Sequence, residues 1–329
     1  MDFVNDVSHV EITTIYGITL KMLREEKRLT QSQLCKADDP HNYICSVRTL
    51  SRIEKGEIPL SDKYLSGFLS VLGISHTDFY YEVDGGKKTT LFLNAFSDVW
   101  DLLFKKKRSE AKAKMKSLIA DAVIDLEKPL IKQAIMLYEY REKAEYGDDD
   151  TDCMEELCMA LSLTSAYIVA GNEIAFAQVA SGTFKLNEYR IMNVIASEKV
   201  RKGDMATSVE IFKALKESLE NKTLPSEIRN KMLPTICYNL ADALTDRGEY
   251  KEAAKISEAG LSHGKKVGSH RIDGLLYYSM AKAQYFLDEK DKAAGNFKSS
   301  YYSHKVQGKD EMAEMVKKFA LEKYDVNIE

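Results

Sequence analysis

LTQSQLCKADDPHNYICSVRTLSRIEKGEIP, residues 29–59, decides the fold of the first part of the chain. Thr30 stands before Gln31-Ser32-Gln33-Leu34, with Gln33 three places on. That is the pattern of a capping box: the threonine hydroxyl accepts from a first-turn N–H, and the glutamine reaches back to the cap. Ser46 precedes Val47-Arg48-Thr49-Leu50-Ser51-Arg52-Ile53 in the same way, and Gly56 ends that second helix. Upstream, Leu20 and Leu23 form one apolar stripe. Downstream, Ser61 or Asp62 starts a further helix with Tyr64, Leu65, Phe68, Leu69 and Leu72 inward. These spacings predict a compact bundle of four or five helices. In it, Val47–Lys55 turns Leu50 and Ile53 to the core and Arg48, Thr49 and Arg52 outward.

An exposed helix with two arginines at its outer face has the build of a recognition helix. Its first turn enters the major groove, where arginine pairs with guanine through two hydrogen bonds. Gln31, at the start of the preceding helix, is placed to hold a phosphate. Charge is no guide to this reading. The 329-residue chain has a net charge of −4, and Tyr16–Ser75 holds nine basic against seven acidic side chains. Any DNA contact must therefore come from a local face.

Beyond this bundle, apolar residues recur at helical spacing with no convincing alternating strand. The Gly85-Gly86 pair and its polar flanks interrupt the pattern. The expected organisation is a bundle at 1–80, a linker at 81–92 and a long helical domain at 93–329. That domain carries internal repeats. Tyr238–Leu261 aligns with Tyr278–Tyr301 without gaps at an offset of 40; Tyr238, Ala241, Ala253 and Ala254 fall on Tyr278, Ala281, Ala293 and Ala294. Asn193–Leu215 fits the same frame 45 residues earlier, Gly203 matching Gly248. Leu161–Ala180 is a weaker copy with Gly171 at its turn. Small residues such as Ala196, Ala241 and Ala281 let paired helices approach, and stacked pairs form a superhelix with a concave groove. The basic run LLFKKKRSEAKAKMKSLI reads as an exposed helix.

The motif LTQSQL…SVRTLSRIEKGEIP resembles the Xre/lambda-repressor-type helix-turn-helix family over roughly residues 16–80. That resemblance implies DNA contacts from Gln31, Arg48, Thr49 and Arg52, with Ser46, Val47 and Lys55 beside them, and a structural role for Glu54. One departure is Lys36–Tyr43, which lengthens the inter-helix connection by about five residues and brings in Asp38 and Asp39. It reads as a surface insertion that leaves the helix pair intact, as a sign of altered docking, or as a mark of a degenerate module retained for dimerisation. The repeats resemble tetratricopeptide repeats. The whole, an all-α helix-turn-helix bundle followed by a tetratricopeptide-like α-solenoid, resembles the Rgg/PlcR-type (RRNPP) peptide-responsive regulators. That resemblance implies a homodimer, a double-stranded DNA operator and a short signalling peptide in the concave groove. Groove contacts would then come from Arg190, Asn193, Ser197, Tyr238, Asp242, Tyr278, Lys282 and Tyr285. The plain alternative for each is a solvated residue on a helix face.

Other signals carry little. Gly147–Asp152 (GDDDTD) lacks the spacing of a calcium loop. The six histidines show no ligand spacing, and the five cysteines, an odd number with no CxxC, read as reduced thiols. No phosphate loop, nucleophile elbow or dinucleotide fingerprint occurs. No cofactor, metal or catalytic activity is expected. The N-terminus has neither a basic start nor an apolar run, and no stretch reaches membrane-spanning length, so the expected location is the cytoplasm. The competing reading is a tetratricopeptide-type interaction scaffold with a degenerate helix-turn-helix module.

Overall fold

Helix caps and apolar stripes give the N-terminal part five helices: α1 (His9–Glu26), α2 (Gln31–Leu34), α3 (Val47–Glu54), α4 (Asp62–Leu72) and α5 (His76–Phe104). The computed structural model describes residues 9–36, 43–121, 124–146, 153–171, 173–182, 184–221, 224 and 226–328. Leu20, Leu34, Leu50, Ile53, Leu65, Phe68, Leu69, Leu72 and Phe79 close one apolar core, so the start of α5 is the fifth member of the bundle. Gly17 marks where α1 crosses α3. A Cβ there would lie 1.9 Å from the Ile53 carbonyl oxygen, so only glycine allows the approach.

The expected linker at 81–92 is helical: α5 runs through it without a break. The glycine pair weakens a helix by roughly 1 kcal/mol per residue. Phe79, Phe92, Phe96, Val99 and Leu103 flank it and are buried, which holds the helix on both sides. A tight turn at Lys105–Lys107 then leads into α6 (Arg108–Ile119). The basic run is thus the end of one helix and most of another. The compact units are Met1–Ile131 and Lys132–Glu329, with no division at 81–92.

In the second unit, α7 (Pro129–Tyr146) and α8 (Met154–Ser165) precede a single 3-10 turn. Next come β1 (Val169–Ala170) and β2 (Glu173–Ile174), paired antiparallel, then α9 (Phe176–Ser181). The weak repeat expected at Leu161–Ala180 is therefore not a helix pair. Gly171 is left-handed (φ 62°), but it turns a two-residue hairpin. The other three copies are helix pairs: α10 (Leu186–Arg201) with α11 (Met205–Glu220), α12 (Ser226–Asp246) with α13 (Tyr250–Val267), and α14 (Asp273–Phe286) with α15 (Lys290–Val306). α16 (Asp310–Tyr324) completes the stack. Gly203 and Gly248 share φ 81°, and Asp288 takes the left-handed backbone at the third turn. Ala196, Ala241 and Ala281 are fully buried, as the close approach of the helices requires. α12 packs on both α10 and α14, so the first helices of successive pairs line the inner face.

Residues 37–42, with Asp38 and Asp39, and residues 147–152 lie outside the described residues. Among the described residues no helix is long and apolar enough to cross a membrane, and no cluster is placed to hold a metal ion.

Candidate nucleic-acid interface and inner groove

Both caps read from the sequence are made. The Thr30 hydroxyl accepts from Gln33 N at 3.2 Å, and Gln33 Oε1 accepts from Thr30 N at 2.8 Å. Ser46 Oγ accepts from Thr49 N at 3.1 Å. α3 then buries Leu50, Ile53 and Glu54, while Ser46, Val47, Arg48, Arg52 and Lys55 are exposed and Thr49 is half-buried. The outer side therefore presents Arg48 and Thr49 on the first turn, Arg52 on the next and Lys55 at the helix end. Arg52 leans on Glu57 at 3.4 Å, an exposed pair of little strength that a phosphate or base would displace.

Glu54 holds this face in place. Its carboxylate accepts from Arg24 Nε at 2.6 Å and Arg24 Nη2 at 2.9 Å, and from Gln31 Nε2 at 2.8 Å. Arg24 Nη1 also donates to the Leu29 carbonyl at 2.9 Å. Arg24 and Glu54 are both buried, and the hydrogen bond to Glu54 raises the arginine pKa against the opposing effect of burial. One buried pair therefore ties α1, α2 and α3 together. Gln31, read as a phosphate ligand, has one amide N–H committed to Glu54. Its side chain is fixed by that bond and is not free to swing. The partner Arg24 was missed because it sits thirty residues from Glu54, with nothing local to mark the pair.

The extra segment between α2 and α3 is closed at its base. Lys36 and Tyr43 form an antiparallel bridge, and Ile44 N donates to Cys35 O at 2.8 Å. Cys35 and Cys45 are buried free thiols with sulfurs 4.0 Å apart. Burial, then the neighbouring thiol, pushes Cys35 up to about 12. The two ends of the segment, Lys36 and Tyr43, are thus held side by side between α2 and α3.

On the inner face of the second unit, the offset of 40 brings Asp242 and Lys282 together. Lys282 Nζ donates to Asp242 Oδ1 at 2.7 Å and lies 3.8 Å from Asp246. Burial opposes the charge on Lys282, but the two aspartates outweigh it and raise its pKa. Tyr278 lies beside the ammonium, 6.0 Å from ring centre to nitrogen. Tyr285 packs edge-on against Tyr324 at 4.9 Å. Burial, followed by the charge of Asp242, raises the Tyr238 pKa. A second polar pair lies along the same face: Asn239 Nδ2 donates to Asn193 Oδ1 at 2.7 Å. Ser197 is exposed, its hydroxyl on the Asn193 carbonyl at 3.0 Å. Arg190 differs from them in exposure. It lies on the same helix face, three residues before Asn193 and seven before Ser197, but it is buried and donates to Asn187 Oδ1 at 2.9 Å. Asn239, Asp246 and Tyr324 were missed. Asp246 is one helical turn beyond Asp242 and was legible from that spacing; Tyr324 lies outside the repeat frame.

The helix-turn-helix domain family matches residues 15–79, and the RNPP family C-terminal domain matches residues 174–324. No curated protein matches the chain. Among solved structures, PlcR of Bacillus thuringiensis, in complex with the peptide PapR7 and DNA, is 21% identical with a TM-score of 0.55; 92% of this chain and 99% of that one are covered. The apo competence regulator ComR of Streptococcus vestibularis is 18% identical with a TM-score of 0.51, over 94% and 98%. These likenesses establish a shared fold. The chain therefore joins a segment that matches the helix-turn-helix domain family to a segment that matches the RNPP family C-terminal domain, in the fold that the two solved structures share.

Proposed function

We propose that this chain is a sequence-specific DNA-binding regulator whose inner groove takes a short peptide that changes its affinity for an operator. The observation that carries the reading is α3, a capped helix with Arg48, Thr49, Arg52 and Lys55 outward and Leu50 and Ile53 locked in the core. Arg48 and Arg52 read base edges; Ser46, Val47 and Thr49 sit at the groove entrance, and Lys55 and Gln31 approach phosphates. In a dimer two such helices read half-sites about one turn of duplex apart. PlcR carries a peptide and DNA in its solved complex, and the same pair of partners fits here. The Asn193–Asn239 pair supports the peptide reading. Each amide has further donor and acceptor capacity that matches an extended backbone. Tyr238, Tyr278 and Tyr285 supply apolar area, and Lys282 with Asp242 supplies charge.

The test is binding to duplexes selected from a random pool, followed by fluorescence anisotropy. The expected result is a selected sequence bound at least a thousandfold more tightly than scrambled DNA (about 4 kcal/mol,). R48A/R52A should lose that preference while keeping its fold. Failure to select any sequence, with cell extract present, would favour the interaction-scaffold reading.

A further inference from the structure

The densest positive charge in the first unit is not on the helix-turn-helix. Residues 104–120 hold seven Lys and Arg against Glu110 alone, whereas Tyr16–Ser75 is nearly balanced. Lys105, Lys106, Lys107, Arg108, Lys112 and Lys116 are exposed. Lys107 pairs with Glu110 at 2.9 Å and Lys114 with Asp98 at 2.6 Å. Among the described residues Lys105, Lys106, Lys112 and Lys116 form no ion pair.

The turn itself is built against electrostatics and backbone preference. Lys106 N donates to Leu103 O and Lys107 N to Leu102 O, each at 2.9 Å, closing α5 with Lys106 left-handed at φ 58°. Glycine takes that backbone freely and L residues resist it. The equivalent turns after α4 and α13 use Gly73 and Gly268. Lys107 and Arg108 then occupy the N-cap and first position of α6 with no side-chain cap. The positive end of the helix dipole disfavours cations there and favours an anion. An incoming anion relieves the electrostatic repulsion at this helix end.

We propose that this turn is a second, sequence-indifferent contact to duplex DNA. Lys105, Lys106, Lys107 and Arg108 take backbone phosphates flanking the bases read by α3. The inference rests on the reading that α3 binds DNA. α5 carries the turn about 37 Å from Phe79 in the bundle core, at 1.5 Å per residue. That is close to one turn of duplex, roughly 34 Å. Once α3 holds DNA, the second contact is intramolecular and needs little intrinsic affinity. An anionic lipid surface fits less well, because the four-residue turn offers no exposed aromatic or apolar anchor beside its cations.

The experiment compares the full chain with K105Q/K106Q/K107Q on the selected operator and on random 40-base-pair duplex, across a salt series. Each lost phosphate contact removes about 0.9 from the slope of log affinity against log salt. The triple variant should lose up to about 2.7, with equal weakening on both duplexes and an unchanged preference for the operator. K105R/K106R/K107R should restore both slope and affinity. An unchanged slope in the glutamine variant, with wild-type binding intact, overturns the proposal and leaves the α3 reading standing. Absence of all DNA binding by wild type overturns both. Loss of binding to phosphatidylglycerol vesicles in the glutamine variant, with DNA binding unaffected, overturns it in favour of a lipid surface.

Discussion

Replacing Glu54 by alanine is expected to unfold much of the margin of the N-terminal unit. The substitution removes the acceptor for two Arg24 bonds, at 2.6 and 2.9 Å, and for the Gln31 bond at 2.8 Å. It leaves the Arg24 guanidinium with a side chain 10% exposed and no carboxylate in the core. Breaking a buried pair from one side costs about 3–5 kcal/mol, because the remaining charge stays desolvated. Domains of this kind are stable by roughly 5–15 kcal/mol, so the loss is a large share. The assay is urea unfolding followed by fluorescence of Trp100, the single tryptophan, which lies on α5 in the first unit. The midpoint should fall sharply with little change in m-value. R24M/E54L removes both charges and should recover to within about 1 kcal/mol of wild type. A Glu54→Ala loss below about 1 kcal/mol would refute the reasoning, since it would put the pair among exposed salt bridges. So would a double variant as unstable as the single one.

Gly17→Ala drives a methyl group into the Ile53 carbonyl and should lower stability by at least about 2 kcal/mol, seen by the same Trp100 signal; a neutral result would mean that α1 slides without cost. His304 is buried against Gly274, and burial, with Lys309 adding to it, lowers its pKa. As pH falls below about 6.5 the unfolded chain takes a proton that the folded one refuses, so stability declines until the lowered pKa is passed. His304→Leu should flatten that decline, and identical slopes for both proteins between pH 5 and 7 would contradict it. Lys282→Met leaves Asp242 and Asp246 without their cation and should weaken groove ligands at least tenfold in calorimetry with a selected peptide, while operator affinity without peptide stays unchanged. The buried thiols, with Cys35 and Cys237 near 12, should react with Ellman's reagent far more slowly in the native protein than in urea.

The legible parts of this fold are those written in neighbouring residues. Thr30 with Gln33, Ser46 with Thr49, and the offset of 40 between Tyr238 and Tyr278 each lie within a window that a helix reads locally. The parts that escaped depend on distance or on sums. Arg24 and Glu54 meet across thirty residues. Gly85-Gly86 looks like a break, and only the buried phenylalanines on either side show why the helix continues. Gly171 turns the chain as expected, but what flanks it is a short hairpin, Val169–Ala170 paired with Glu173–Ile174, in place of two packed helices. Register puts Arg190 on the face of Asn193 and Ser197, but it does not show how exposed each one is. α10 is buried nearly all round, and Arg190 is buried where Ser197 is exposed.

The glycine pair inside α5 has a mechanical consequence. Two adjacent glycines lower the local helix stability by about 2 kcal/mol relative to alanines. Phe79 on one side and Phe92 and Phe96 on the other are anchored in packed cores, so opening starts between them and not at the helix ends. α5 is then less a stiff shaft than two rods with a built-in flexure. Its amides around residues 85–86 should exchange with solvent ahead of those at Phe79 and Phe96. A double alanine substitution would stiffen the joint while leaving every anchoring contact in place.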